Sequence, residues 1–184
     1  MAEPLASFAT LHILVFPVQS LRADDALGWS AKVTNPKAYL TAVDVALETA
    51  FRERGLGSSW AFPTDLARTA QRNPTYAAAP ASIRAGDAAR VMERRNGSQI
   101  PEPVASQIRA LAGFHDARHA MIPVELRFDR DGDGGRAVLH VVILDVRSSS
   151  LVWAGDVGGE TLAEFSPAVV TGLARRFANL VVER

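Results

Sequence analysis

The chain has 184 residues, 48% hydrophobic and 22% charged, the proportions of one ordinary globular domain. Twenty Lys and Arg residues balance twenty Asp and Glu, which argues against a nucleic-acid binder or a polybasic membrane-surface protein held by bulk charge. Cysteine is absent, which excludes disulfides, a thiolate nucleophile and Cys-ligated zinc. No apolar run reaches the ~18–20 residues that span a bilayer.

The opening residues, Met1-Ala2-Glu3-Pro4-Leu5, lack the basic, apolar and cleavage regions of a signal peptide. Two readings follow. The protein is cytoplasmic as written, or it is an envelope protein whose leader has been removed and replaced by Met1.

Residues 11–18 (LHILVFPV) form a near-continuous apolar run, the pattern of a strand buried on both faces. Residues 19–35 are polar and read as a long loop carrying one large apolar side chain, Trp29. Asn35-Pro36 then opens a helix, with Asn as cap and Pro at the first helical position. Leu40, Val43, Leu47, Ala50 and Phe51 follow at helical spacing, and Gly55 and Gly57 end the helix. A short strand is expected over 59–62, and a second helix from Pro63 to just before Asn73-Pro74.

Residues 73–103 carry four prolines and an Ala tract and read as an irregular insertion, within which 87–94 can form a short helix. A helix over 104–112 leads into strands over 117–128, 136–146 and 151–157, joined by turn-rich connections as in an antiparallel meander. Pro123 conflicts with its strand, because it cannot donate to a ladder, so it needs a bulge or an unpaired position. A helix from Ser166-Pro167 to about Val182 closes the chain.

These elements predict a single α/β domain over 1–184. Its core is a mixed five-stranded sheet with helices on both faces and strand order 2-1-3-4-5.

The opening strand HILVFPV and the meander ARHAMIPVELRF…GGRAVLHVVILDVRSSSLVWAGDVGG resemble a group of bacterial envelope domains. That group includes the amino-terminal domain of the translocation protein TolB, the curli-secretion protein CsgG and the penicillin-binding-protein activator LpoB. Asp145, Arg147, Trp153 and Gly155 stand at the group's Asp-turn and Trp-x-Gly places. The resemblance implies an anticodon-binding-domain-like fold, an envelope location and a partner-binding role without catalytic residues.

Candidate chemistry is sparse. Asp129-Arg130-Asp131-Gly132-Asp133-Gly134 has the opening of a calcium loop, but His140 stands where the bidentate Glu belongs, and Asp and Gly are also ordinary hairpin-turn residues. His115 and His119 have chelating spacing on a helix, but a chain entering a strand parts them by about 13 Å. Gly55-Leu56-Gly57 follows a helix and precedes a strand, the reverse of a dinucleotide loop. No Ser among 58, 59 and 148–150 lies in a nucleophile elbow. His12 and His140 read as structural residues and Trp153 as core. Trp29 and Tyr76 lie in expected loops, either folded back onto the core or presented to a partner.

The resulting expectation is a non-enzymatic protein-binding domain of the bacterial cell envelope, an assembly factor or membrane-extrinsic accessory subunit of a larger complex. No catalytic residue, cofactor or metal is assigned. The expected partners are proteins, as in a membrane-associated complex, with no nucleic acid and no membrane span. The contacts would be Trp29 and Tyr76, on the 19–35 loop and the 73–103 stretch. The alternative is a small-molecule or enzyme site at the carboxyl ends of the parallel strands, where open α/β sheets bind ligands.

Overall fold

The computed structural model describes residues 5–96 and 99–183. One mixed sheet organises the chain, with strand order β2-β1-β3-β4-β5, the order the sequence predicts. Its strands are β1 (Ile13–Val15), β2 (Trp60–Ala61), β3 (His119–Asp131), β4 (Gly134–Asp145) and β5 (Ser150–Gly158). β1 lies parallel to both β2 and β3, whereas β3, β4 and β5 form the antiparallel meander.

The helices are α1 (Pro36–Glu53), α2 (Pro63–Arg72), α3 (Ala85–Arg94), α4 (Val104–Phe114) and α5 (Ala168–Val182). Local chemistry fixes several ends. The Asn35 side chain accepts the Ala38 N–H at 3.1 Å, a cap that satisfies one of the unpaired first-turn donors. Gly55 takes φ +83° just beyond α1, a left-handed conformation that glycine adopts without a Cβ penalty. At the start of α2 the Asp65 carboxylate reaches back to accept the Phe62 N–H at 3.0 Å.

The sheet is buried on both faces. On one side α1 and α5 pack over Ile13, Val15, Leu126, Phe128, Leu139, Val141 and Ile143, with Phe51, Leu173 and Phe177 fully enclosed. On the other, α2, α3 and α4 cover Leu14, Phe16, Ala120, Ile122, Val142 and Leu144 through Leu66, Met92, Ile108 and Leu111. The helical part of 73–103 is longer than the sequence suggests. α3 starts at Ala85 and buries Ala85, Ala88, Ala89 and Met92 against this second face. Its stripe of small side chains lacks the bulky periodicity that marks a helix in sequence.

Two further readings change. The 11–18 strand narrows to three ladder residues, but the chain beyond it keeps company with β3. Phe16 N donates to Met121 O (2.9 Å), Gln19 N to Pro123 O (3.0 Å) and Arg22 N to Leu126 O (2.8 Å). Residues 19–22 are therefore an extension of the first strand and not the start of a free loop. The β3–β4 register shifts between Pro123 and Glu125, the bulge that is one of the two expected outcomes. The Pro123 carbonyl accepts the Gln19 N–H, so the proline nitrogen faces the first-strand side and removes no donor from the β4 ladder.

At the carboxyl end of β1, the Val18 N–H donates to the Asp44 carboxylate of α1 at 2.8 Å. Burial pushes the Asp44 carboxyl up to about 7, against the lowering effect of that hydrogen bond and with a further upward push from Glu48. An acid whose folded-state pKa lies above its unfolded value holds its proton longer in the folded chain. Stability is then lost as pH rises from 3.8 to about 7. Asp44→Asn keeps an acceptor for Val18 and should abolish that loss. The variant is expected to be more stable than the parent at pH 8, on the order of 1–3 kcal/mol, and similar at pH 4. Parallel denaturant melts at the two pH values check this, and a parent whose stability does not fall across the window would contradict it.

Candidate functional site

Charged side chains gather where the face covered by α2, α3 and α4 runs out. Glu125 and Arg127 on β3, His140 on β4 and Asp156 on β5 line an open cleft of about 650 Å³ with Arg90 and Glu93 of α3. Their register places them together: Glu125 stands opposite His140, and His140 opposite Asp156. The centre is an imidazole between two carboxylates. His140 Nε2 lies 2.9 Å from Glu93, and Nδ1 lies 2.7 Å from Asp156.

Arg127 extends the chain. Its guanidinium donates to Asp156 at 2.7 Å and to Asp129 at 3.1 Å. The Arg127 hydrogen bond, with His140 behind it, holds the Asp156 carboxyl below the ordinary carboxylate range despite partial burial. The same bond to Asp156 raises the Arg127 pKa. Arg22 pairs with Glu125 at 2.5 Å, and Arg90 bridges Glu125 (3.6 Å) and Asp87 (3.5 Å). Each charge in the cleft has an opposite charge beside it.

This arrangement braces α3 to the sheet. Glu93 stands at Nε2 and Asp156 at Nδ1, so both ring nitrogens have partners within the chain. Ser20, the nearby hydroxyl, receives the Arg90 guanidinium at 2.7 Å and donates to Val124 O at 3.0 Å. His140 is a linking residue, in line with the structural role read for it. Its partner Glu93 lies 47 positions away, a pairing that no local pattern encodes.

The residues singled out in sequence are scattered. Trp29 is 5% exposed, so the expectation of an indole presented to a partner is corrected. The ring packs on Phe128 (5.9 Å) and Phe165 (5.8 Å), and Gly135 makes room for it, since a Cβ there would stand 2.9 Å from the indole. The loop is tied back by Asp25, whose carboxylate accepts from the N–H groups of Leu27, Trp29 and Ser30. Tyr76 differs, being 75% exposed just after α2.

Asp129 and Asp131 are committed to protein partners, Asp129 to Arg127 and Asp131 to the Thr161 hydroxyl and, at 3.7 Å, to Arg136. Residues 132–133 form the hairpin turn, with Gly132 at φ +57°. His115 ends α4 and His119 begins β3. Asp145 accepts from the N–H groups of Arg147 and Ser148 and from Arg118, so it shapes the β4–β5 turn. Trp153, expected in the core, is half-buried and packs against the core cluster under α1 and α5, and it lies over Gly155, where a Cβ would meet the ring at 2.9 Å. The Trp-x-Gly spacing is thus a packing requirement between two same-face residues of one strand.

At the carboxyl ends of the parallel strands, where a small-molecule site was the alternative, the first-strand segment is tied to α3. The Gln19 carboxamide crosses them to accept the Gly86 N–H in the first turn of α3 at 3.1 Å. A cleft of about 380 Å³ stands at the opposite, amino ends, lined by residues that include His12, Ser59 and Arg68. His12 is exposed there and is not the satisfied strand residue expected from its position.

No known family profile matches the chain, and no curated protein matches its sequence. Among solved structures it is similar to the LpoB C-terminal domain from Salmonella enterica, at 10% identity and TM-score 0.39, covering 82% of each chain. It is also similar to the PelC dodecamer from Paraburkholderia phytofirmans, at 14% identity and TM-score 0.38, over 100% of this chain and 94% of that one. These likenesses are loose and assign neither partner nor activity. Among the described residues no helix is long and apolar enough to cross a membrane.

Two substitutions check the geometry. Trp29→Ala should cost about 3–5 kcal/mol of folding stability, the usual cost of emptying a buried aromatic site. A denaturant melt measures it, and a variant as stable as the parent would show the indole is not a core group. His140→Ala leaves Glu93 and Asp156 without their shared partner. It should loosen α3 by about 1–3 kcal/mol, read as faster amide exchange across 85–94 with α5 protected as before.

Proposed function

We propose that the chain is a non-enzymatic protein-binding domain of the bacterial cell envelope. It acts as an assembly factor or a membrane-extrinsic accessory subunit that braces a larger complex. The observation that supports this most is the open edge of the sheet. β5 pairs only with β4 among the described strands, and Leu151, Val152, Trp153 and Ala154 remain partly exposed along it. An edge that carries unpaired backbone groups beside apolar side chains is suited to pairing with an extended segment of another protein. Tyr76, standing out from the opposite part of the molecule, is a second contact of the aromatic type that concentrates binding energy.

A non-enzymatic role fits the charged cleft. Its imidazole spends both nitrogens on carboxylates, and its guanidiniums are neutralised from within. Such a network rigidifies the support on which a docking edge is carried.

Photo-crosslinking in the native organism tests the proposal. A crosslinking residue at Val152 or Tyr76 should trap a defined protein, and one at Thr41, on the exposed face of α1, should not. The β5 adduct should disappear when Val152 is replaced by Pro in a chain carrying the crosslinker at Ala154, provided the variant melts cooperatively. A folded, expressed chain that yields no adduct from either surface would overturn the reading.

A further inference from the structure

The cleft at the amino ends of β1 and β2 differs from the braced one in its charge. One wall is α2, which turns Asp65, Arg68, Thr69 and Arg72 toward it, positions at three- and four-residue spacing and hence on one helix face. The facing wall is the end of α1 and the turn after it, with Arg52, Ser58 and Ser59. His12 and His115 also line it.

Three guanidiniums thus share this space with a single carboxylate. Asp65 is already divided between Arg52 (3.1 Å), Arg68 (3.4 Å) and the Phe62 N–H (3.0 Å). Arg52 is held in place by Glu48 at 2.9 Å and by the Phe62 ring, 4.8 Å from its guanidinium. Arg72 has no ion pair among the described residues. Arg68 and Arg72 are also like charges four apart on one helix face, an arrangement that disfavours the helix until an anion lies between them.

The neutral donors suit the same ligand. Ser58 and Ser59 bring hydroxyls to one wall, and the Thr69 hydroxyl lies 2.9 Å from His115 Nε2. Burial lowers the His115 pKa, against a smaller raising effect from Asp65, so the ring contributes a hydrogen bond to the site more readily than a charge. A monocarboxylate offers two oxygens, too few for several guanidinium forks and hydroxyls at once. A tetrahedral phosphate offers more acceptors and twice the charge. The cleft volume of about 380 Å³ lies within the range of small-molecule sites, roughly 300–1,000 Å³.

We propose that the cleft between α2 and the amino ends of β1 and β2 binds a phosphate dianion through Arg68 and Arg72, with Arg52 and the serine hydroxyls completing the cradle. The phosphate is either free or the head of a small phosphomonoester. This site is independent of the protein-binding reading and lies far from β5 in the sheet order.

Titration of the ¹⁵N-labelled full chain with inorganic phosphate and, separately, glycerol 1-phosphate tests it, at constant ionic strength set by sodium chloride. Saturable shifts are expected at the amides of Ser58, Ser59 and Thr69. Tighter binding of glycerol 1-phosphate identifies a phosphomonoester as the ligand, and equal or tighter binding of inorganic phosphate identifies the free ion. Arg72→Gln alone and Arg68→Gln with Arg72→Gln should weaken binding progressively, at least tenfold in the double variant. Both positions are exposed, so the fold should survive, and unchanged amide spectra away from the cleft verify that. Arg175→Gln, the loss of a distant charge, should have no effect. The proposal is overturned if the shifts fail to saturate, if sodium chloride alone reproduces them, or if the double variant binds like the parent.

Discussion

The bulge at Pro123–Glu125 is the constraint on which both faces of the sheet depend. Side chains alternate along a strand, so one extra residue exchanges the faces of everything beyond it. Upstream, Ala120, Ile122 and Val124 face the cluster under α2, α3 and α4. Downstream, the even-numbered Leu126 and Phe128 join the opposite cluster, under α1 and α5. Without the bulge Phe128 would leave the aromatic group it forms with Trp29 and Phe165, and the Arg127 guanidinium would enter that apolar core. With it, Phe128 anchors the 19–35 loop, and Arg127 reaches the cleft where Asp156 and His140 wait. One extra residue in β3 thus separates the dry end of one face from its charged end.

Much of this was legible in the sequence. Asn35-Pro36, Gly55 and the apolar spacing of α1 and α5 are local signals, because capping and amphipathicity act within a few residues. The meander was legible because its strands are long and its turns carry Asp, Gly and Ser. The strand order followed from one crossover and two hairpins. Pro123 announced a defect in its strand, though not the exchange of faces that follows from it.

The rest depends on distant partners. Trp29 sits in a polar segment, and nothing nearby states that Asp25 will gather three N–H groups and fold the loop onto Phe128. α3 hides behind alanines, since small side chains pack closely on a sheet without leaving a bulky stripe to read. His140, Glu93 and Asp156 come together only through sheet register and the docking of α3. The cleft at the amino ends was invisible for a different reason. The rule for open α/β sheets points to the carboxyl ends, whereas this cleft stands at the amino ends.

The two clefts differ in how completely their charges are matched. In the first, guanidiniums, carboxylates and one imidazole neutralise one another across β3, β4, β5 and α3. A ligand entering there would have to break pairs already made, and each broken pair would leave a partly buried charge uncompensated. In the second, Asp65 is shared between Arg52 and Arg68, Glu48 also pairs with Arg52, and Arg72 has no ion pair among the described residues. An anion placed there, as proposed, would meet an uncommitted Arg72 and would lessen the repulsion between Arg68 and Arg72 along α2. The edge of β5 follows the same logic in backbone terms. A register shift opposite Ile143 and Leu144 places an extra residue in this edge strand, which discourages indiscriminate edge-to-edge association. Residues 153–158 beyond it pair regularly with β4, over the stretch of the edge that lies beside the His140 network.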